Sequence, residues 1–313
     1  MAALDLVAIG EPLYELNRQP DGRYLPGFGG DTLNVCVAAA RLGARVSYVS
    51  RLGADIFGDE IRALMIREGV DAAAVATDPQ APTGLYFVTH GPQGHVFTYR
   101  RAGSAASLMT PADLPEEKIA AARFVHASGI SQAISESAAE AVVAAFRLAR
   151  AHGAQVSYDT NFRPRLWTPA QARAPVEQGA AMADIVKTSQ EDAQALFGLS
   201  QPSAIADHFL GLGAGAVLVT LGAGGLLLAT REERRAIPGH RVAAVDSTGA
   251  GDAFTGAFLA GLARGQGLAP AAEFANAAAA LSTRGFGAIA PLPRRAEVEH
   301  ALASEFLPQA RSD

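Results

Sequence analysis

Cysteine is almost missing from this chain: Cys36 is the only one in 313 residues. No internal disulfide can form, so the fold must be held by its core. Cys36 falls one turn into an apolar helical stretch, where a thiol behaves as a small hydrophobe. Lysine is nearly as scarce. Lys118 and Lys187 are the only two and neither follows a glycine, which excludes a Gly-Lys-Ser/Thr phosphate loop. The seven histidines, at 90, 95, 126, 152, 208, 240 and 300, form no HExxH or similarly tight spacing, which argues against a structural zinc site. The longest apolar runs have strand length, so no segment reads as a membrane span. Clustered basic charge is missing too. The 26 basic residues are scattered against 31 acidic ones, for a net charge of −5, and leave no footprint for nucleic acid. The opening MAALDLVAIG carries Asp5 where a secretory leader needs positive charge, so a cytoplasmic setting is expected.

What is present is apolar residue in quantity, 49% of the chain, enough to bury a sizeable core. Short β-rich runs end in Gly, Ser or Asn: LDLVAIG (4–10), RVSYVSRLG (45–53), RFVHASG (123–129), QVSYDTN (155–161), DIVKTS (184–189) and AVLVTLG (216–222). Helical patterns are read at 31–42, 57–69, 136–152, 169–182, 190–198 and 203–212. Near-continuous apolar strands alternating with amphipathic helices predict an α/β fold with a mostly parallel sheet covered on both faces. Ligands then belong at the carboxyl ends of the strands. Two stretches break the alternation. Residues 12–28 hold a Pro-Asp-Gly turn, and residues 83–101 read as a hairpin about Gly-Pro-Gln-Gly. Together they predict a small β-sheet lid over one end of the main sheet.

The most informative stretch is Asp246-Ser247-Thr248-Gly249-Ala250-Gly251-Asp252-Ala253-Phe254. It is expected to follow a strand at 242–245 and to open a long apolar helix at 250–264. Small residues at 249–251 let amides crowd an anion, and the helix N-terminus adds partial positive charge. An aspartate at a helix entrance is also ordinary capping chemistry. Capping alone does not account for the Gly-Ala-Gly-Asp cluster, where Asp252 would stand beside a bound phosphate and take a hydroxyl proton. A second glycine cluster, Gly29-Gly30-Asp31-Thr32-Leu33-Asn34, leads into a helix closing at Arg41-Leu42-Gly43. Asn34 can both donate to and accept from a ligand hydroxyl.

These two stretches, over two hundred residues apart, resemble the paired signatures of the ribokinase-like (PfkB) sugar kinases, and the likeness runs through nearly the whole chain. The resemblance implies one ribokinase-like kinase domain over 1–313, a three-layer α/β/α core with its lid. It implies ATP and Mg2+ as cofactors. It makes Gly249, Ala250 and Gly251 the anion hole for the γ-phosphate and Asp252 the base. Gly30, Asp31 and Asn34 fall on the sugar-binding signature. Asp246 matches a residue that supports a monovalent cation site, such as one for K+, in some relatives.

On the nucleotide side, Thr220, Gly222 and Gly225 lie in a Gly-rich turn that is also a plain β-turn in isolation. Asn276 matches an asparagine lining the adenine pocket. Ser189 and Asp192 stand where the family usually has Asn-x-x-Glu, a motif linked to magnesium, with Glu191 as the alternative register. The GLGAGA run at 211–216 precedes a strand, whereas a dinucleotide fingerprint follows one.

Within the family, GFGGDTLN (27–34), SGISQAIS (128–135) and DTNFRPRLW (159–167) resemble kinases of 2-keto-3-deoxygluconate. An acid sugar suits arginine, whose planar fork holds a carboxylate through two bonds. Tyr99 and Arg101 are expected on one face of the lid hairpin, with Arg100 as fallback. Tyr86 on the opposing strand matches another substrate contact, Arg163 after a core strand is expected to contact the sugar acid or the ATP phosphates, and Glu15 stands where many relatives have Asp. Each of these arginines also reads as a solvated strand edge. A fructokinase, or a kinase of 5-dehydro-2-deoxygluconate, is the alternative within the family. A non-catalytic sugar-binding protein is the alternative outside it. The lid's exposed edges also suggest a homo-oligomer.

Overall fold

The computed structural model describes residues 4–91 and 94–304. Its strands in chain order are β1 (Leu4–Ile9), β2 (Leu13–Arg18), β3 (Tyr24–Gly29), β4 (Val46–Gly53), β5 (Val70–Asp71), β6 (Val75–Asp78) and β7 (Leu85–Gly91). There follow β8 (Gly94–Arg100), β9 (Ala122–Ser128), β10 (Gln155–Asp159), β11 (Ile185–Ser189), β12 (Ala216–Thr220), β13 (Gly225–Ala229) and β14 (Arg234–Pro238). The main sheet runs β14-β13-β12-β11-β10-β9-β1-β4-β5, with β6 also paired to β4. From β12 to β5 the pairing is parallel; β13 and β14 return antiparallel.

Alternation along β1 shows why the sheet is covered twice. Leu6 and Ala8 enter one core, with Leu33, Ile61, Phe258 and Ala275 from helices Asp31–Arg41, Ile56–Arg67, Ala250–Ala263 and Leu268–Ser282. Val7 and Ile9 enter the other, with Phe146, Val176, Leu196 and Phe209 from helices Glu136–Ala151, Pro169–Ala181, Gln190–Phe197 and Pro202–Leu212. Period-two side chains on a strand must serve opposite faces, and here both faces are apolar. Helix Glu136–Ala151 illustrates the local logic. Ser135 caps it, accepting from the Ala138 amide at 3.0 Å, and Ala138, Ala141, Val142, Ala145, Phe146 and Ala149 form its buried stripe. The three-layer α/β/α core expected from the sequence is present. Cys36 is fully buried in its helix, and burial pushes its thiol far up.

The small sheet is separate and runs β3-β2-β7-β8. The hairpins β2/β3 and β7/β8 are antiparallel, and β2 joins β7 in parallel. In the turn expected between β7 and β8, Pro92 and Gln93 lie outside the described residues. Leu13, Tyr86 and Val88 form its own buried cluster, with Phe97 and Tyr99 packed against it.

One expected element is not there. Residues 242–245 are not a strand: the main sheet ends at β14, and Val245 is 49% exposed. The Val245 and Asp246 amides donate instead to the Thr283 carbonyl, at 2.7 and 3.1 Å. A four-residue apolar run without a neighbouring strand has no ladder to join, and its amides find a helix end.

Candidate active site

The carboxyl ends of the parallel strands collect the polar residues. Glu11 follows β1, Ser128 ends β9, Asp159 ends β10 with Thr160 and Asn161 after it, Lys187 to Ser189 close β11 and Thr220 closes β12. Helices Asp31–Arg41 and Ala250–Ala263 point their N-terminal turns at the same place, as Asn34 Nδ2 donates to Asp252 Oδ2 at 2.8 Å.

Asp252 sits in the first turn of its helix and is 9% exposed. Burial first, and then the charge of Asp31, push its carboxyl up to about 7, while the Asn34 hydrogen bond and Lys187 pull the other way. A carboxylate poised near neutrality is what a general base requires. Gly249 caps this helix at φ 76, a left-handed conformation that side chains resist, and a Cβ there would also press on Ala288. Ala250 already gives its amide to the Ser247 carbonyl at 3.1 Å. Of the three expected anion-hole residues, Gly249 and Gly251 therefore offer freer amides than Ala250, and the Asp252 amide stands beside them. Asp246 braces this loop: Oδ1 accepts from the Thr248 amide and hydroxyl at 2.9 and 2.6 Å, and Oδ2 from the Gly287 amide at 2.9 Å.

Beside Asp252 lies a pair of buried oxygens with no partner. Asp31 Oδ2 accepts from Ser128 Oγ and from Asn161 Nδ2, the latter at 3.0 Å, but its Oδ1 is unpartnered. Asn34 Oδ1 is unpartnered as well. Buried acceptors are rarely left without donors, and hydroxyl groups would satisfy both. Asn161 holds the one positive φ among described non-glycine residues, 35°. Strain of that kind persists where surrounding bonds fix it, here Asp31 and the Asp159 carboxylate, which accepts from the Asn161 amide at 3.2 Å. Gly30 is the N-cap of the helix bearing Asp31 and Asn34.

Lys187 is paired with Asp159 at 2.8 Å and both are buried. Burial alone would lower the ammonium, but the Asp159, Asp252 and Asp192 carboxylates together outweigh it and the net shift is upward. Asp192 Oδ2 accepts from Thr160 Oγ1 at 3.0 Å and from the Phe162 amide at 3.1 Å, and burial, then the charge of Asp159, raises it. Glu191 is exposed, so Asp192 is the member of that motif that faces the strand ends. Ser189 caps the following helix by accepting from the Asp192 amide at 3.0 Å. Among the described residues no cluster of three or more His, Cys, Asp or Glu is set to hold a metal. The Asp192 carboxylate beside the strand ends is a hard oxygen donor of the kind magnesium takes, an ion that keeps its waters and is held by few carboxylates together with substrate phosphates.

On the small sheet, Tyr86 donates to Glu15, opposite it in register, and both are buried. Burial, Glu15 and, further off, Asp246 all raise the Tyr86 phenol, which ties this sheet electrostatically to the loop before Asp252. Tyr99 faces Tyr86 across β7 and β8. Arg101 lies just past β8, its guanidinium 5.5 Å from the centre of the Tyr99 ring and ion-paired with Glu11. Glu11 is 1% exposed and also accepts from Ser104 Oγ at 2.7 Å. Arg100 is exposed, as is Arg163, whose charge offsets part of the rise in Asp192.

The nucleotide-side residues lie further along the edge. Thr220 donates to the Thr188 carbonyl at 3.3 Å. Gly222 stands at φ 55 with open space where a Cβ would be, whereas Gly225, at φ 95, is enclosed by the 237–239 backbone. Asn276 Nδ2 donates to the Pro238 carbonyl at 2.8 Å.

Glu11, Ser128, Asp159, Asn161 and Lys187 complete the cluster although none was singled out individually. Asp159 and Asn161 had a signal, the Asp-Thr-Asn phrase at a strand end; Lys187 had its scarcity.

Comparison with known proteins agrees with this geometry. Residues 3–295 match the model of the pfkB family carbohydrate kinases. The 2-dehydro-3-deoxygluconokinase of Thermoproteus tenax is 37% identical over 95% of this chain and 94% of its own. Fructokinase-1 of Oryza sativa subsp. japonica is 38% identical over 86% of each. Among solved structures, fructokinase with bound ATP from Xylella fastidiosa superposes with a TM-score of 0.89 at 30% identity, covering 96% of this chain and 99% of that one. An E. coli chain assigned to Ribokinase II, in complex with ATP and Mg2+, gives 0.87 at 26% identity over 95% and 98%. With both signatures converging on one buried carboxylate, this chain belongs to the pfkB family of carbohydrate kinases.

Proposed function

We propose that this sugar kinase transfers the γ-phosphoryl group of ATP to a hydroxyl of 2-keto-3-deoxygluconate, with Asp252 as general base. The observation that carries the reading is the Asp252 carboxylate: buried, oriented by Asn34, and set in the first turn of an apolar helix. Asp31 Oδ1 and Asn34 Oδ1 would take sugar hydroxyl protons as hydrogen bonds. The attacking hydroxyl gives its proton to Asp252 as its oxygen bonds to phosphorus and the bond to ADP breaks. The charge of the transferring group meets the Gly251 and Asp252 amides and the positive end of the helix, and positioning with charge neutralisation supplies most of the acceleration. Mg2+, when bound, would neutralise phosphate charge, with Asp192 holding one of its waters. Thr220, Gly222, Gly225, Ser189 and Asn276 would line the nucleotide. Asp246 would support a K+ site by fixing the loop between Thr248 and Gly287.

Tyr86, Tyr99, Arg101 and Arg163 support an acid sugar. A second reading, a neutral ketose such as fructose, is favoured by one observation: the Arg101 charge is already balanced by Glu11. Coupled assays of ATP turnover on sugar acids and neutral ketoses separate the two. Preferred turnover of fructose would overturn the acid-sugar reading, and no turnover of any sugar would favour a binding protein. The chain would act as one kinase unit with the small sheet as its lid. Tyr24, Leu25 and Val96, large apolar residues exposed on that sheet, support pairing with a second copy. Use of ATP and a lone thiol support a cytoplasmic setting.

A further inference from the structure

Gly251 has no backbone reason to be glycine. Its φ is not among the positive ones, so a side chain would be tolerated by the main chain. A Cβ on Gly251 would stand 2.8 Å from Lys187 Nζ, so the ammonium would have to shift to admit one. The ammonium therefore lies against the first turn of helix Ala250–Ala263, at the amides that face an incoming anion. That is an unfavourable resting place for a cation, because a helix N-terminus carries partial positive charge. Asp159 compensates at 2.8 Å, within the field of Asp252 and Asp192. Lys187 is also the only lysine or arginine among the buried described residues.

We propose that Lys187 is a further catalytic residue of the phosphoryl transfer, donating from its ammonium to the oxygens of the transferring group at Gly251. An ammonium has three donors, and the bond to Asp159 takes one. The lysine stays protonated throughout. The hydroxyl proton goes to Asp252, the phosphorus–oxygen bond to the sugar forms as the one to ADP breaks, and the ammonium only balances charge. A side chain at 251 would compete with the ammonium for this position. The inference rests on reading 249–252 as the phosphate site.

The test compares wild type with Lys187→Met, measuring kcat and the binding of ADP and of the non-hydrolysable analogue AMP-PNP. The expected result is a fall in kcat of about 10²–10³-fold, as for loss of one donor to developing charge. AMP-PNP should weaken by about tenfold or more, the loss of a charge-assisted bond, while ADP binds as before. A kcat close to wild type, or equal weakening of ADP and AMP-PNP, overturns the proposal, since a lysine that only braces Asp159 has no preference for the γ-phosphate. Methionine leaves Asp159 without a counter-ion, so the Lys187→Met, Asp159→Asn double variant is measured as well. It should show the same selective loss of AMP-PNP, and an unselective loss counts against the proposal. Failure of the underlying reading is distinguishable, because it would appear as an active Asp252→Asn enzyme. An inactive Asp252→Asn with a fully active Lys187→Met sinks this inference alone.

Discussion

Asn34 donates its side-chain amide to Asp252 at 2.8 Å, joining two residues 218 positions apart. The bond links the two signature stretches through the very groups expected to bind the sugar and to take its proton. It fixes the carboxylate oxygen that does not need to move, and it favours the ionised form of a group that burial holds near neutrality.

Replacing Asp252 with Asn should nearly abolish turnover and leave ATP binding largely intact. The amide keeps the shape but cannot accept the hydroxyl proton, so kcat should fall about 10²–10⁴-fold. Steady-state kinetics with a separate nucleotide-binding titration check this. Retention of more than about a tenth of wild-type kcat, far above that range, would show that Asp252 is not the base.

The pH profile follows from the same group. As the base, Asp252 would work ionised, and its carboxyl is raised to about 7, so kcat/KM should rise with pH through that region and level off above it. Asn34→Ala removes a bond to the ionised form. The midpoint should then move to higher pH, whatever happens to the height of the plateau. An unmoved or lowered midpoint would assign the limb to another group.

Much of this was legible in the sequence because it is local. Apolar runs of strand length and helical stripes give the alternating core, and both glycine signatures sit where strand ends or helix starts should put them. What escaped was contact across the sheet. Lys187 meets Asp159 because β11 lies beside β10, and Arg101 meets Glu11 because the chain past β8 returns to the end of β1. Neither adjacency follows from periodicity. Residues 242–245 misled for the converse reason: their local pattern suits a strand, but no neighbour is there to receive it.

The two glycines of the nucleotide turn should behave differently. Gly225→Ala puts a Cβ 2.1 Å from the Ile237 carbonyl oxygen at φ 95. Overpacking alone then costs about 1–3 kcal/mol, visible as a lower urea midpoint. Gly222→Ala meets open space at φ 55 and bears only the left-handed penalty of about 1–2 kcal/mol. Gly225→Ala bears that penalty as well as the overpacking, so Gly222→Ala should lower the urea midpoint less, and KM for ATP is where its remaining effect should show. Denaturation curves and ATP kinetics on both variants check the contrast; a Gly222→Ala enzyme with unchanged ATP kinetics would remove that turn from the nucleotide site.

On the acid-sugar reading, Arg101 would carry the choice of substrate. An acid sugar and a neutral ketose differ chiefly by one charge, and Arg101, stacked near Tyr99, is the lid cation placed to read it. Arg101→Ala should raise KM for 2-keto-3-deoxygluconate about ten- to hundredfold, the loss of a charge-assisted bond of about 1.5–3 kcal/mol. KM for ATP should change little, and so should KM for a neutral ketose that never used the charge. The ion pair with Glu11 complicates the single variant, because it leaves a carboxylate that is 1% exposed without its counter-ion. That loss belongs to stability and should lower the melting temperature. Adding Glu11→Gln removes the orphaned charge and should recover stability without recovering affinity for the sugar acid. If the double variant instead regains its KM, Arg101 acts by holding the chain past β8 against β1. If both sugars lose equally, the acid-sugar reading falls while membership of the kinase family stands, because that rests on residues 29–34 and 246–254.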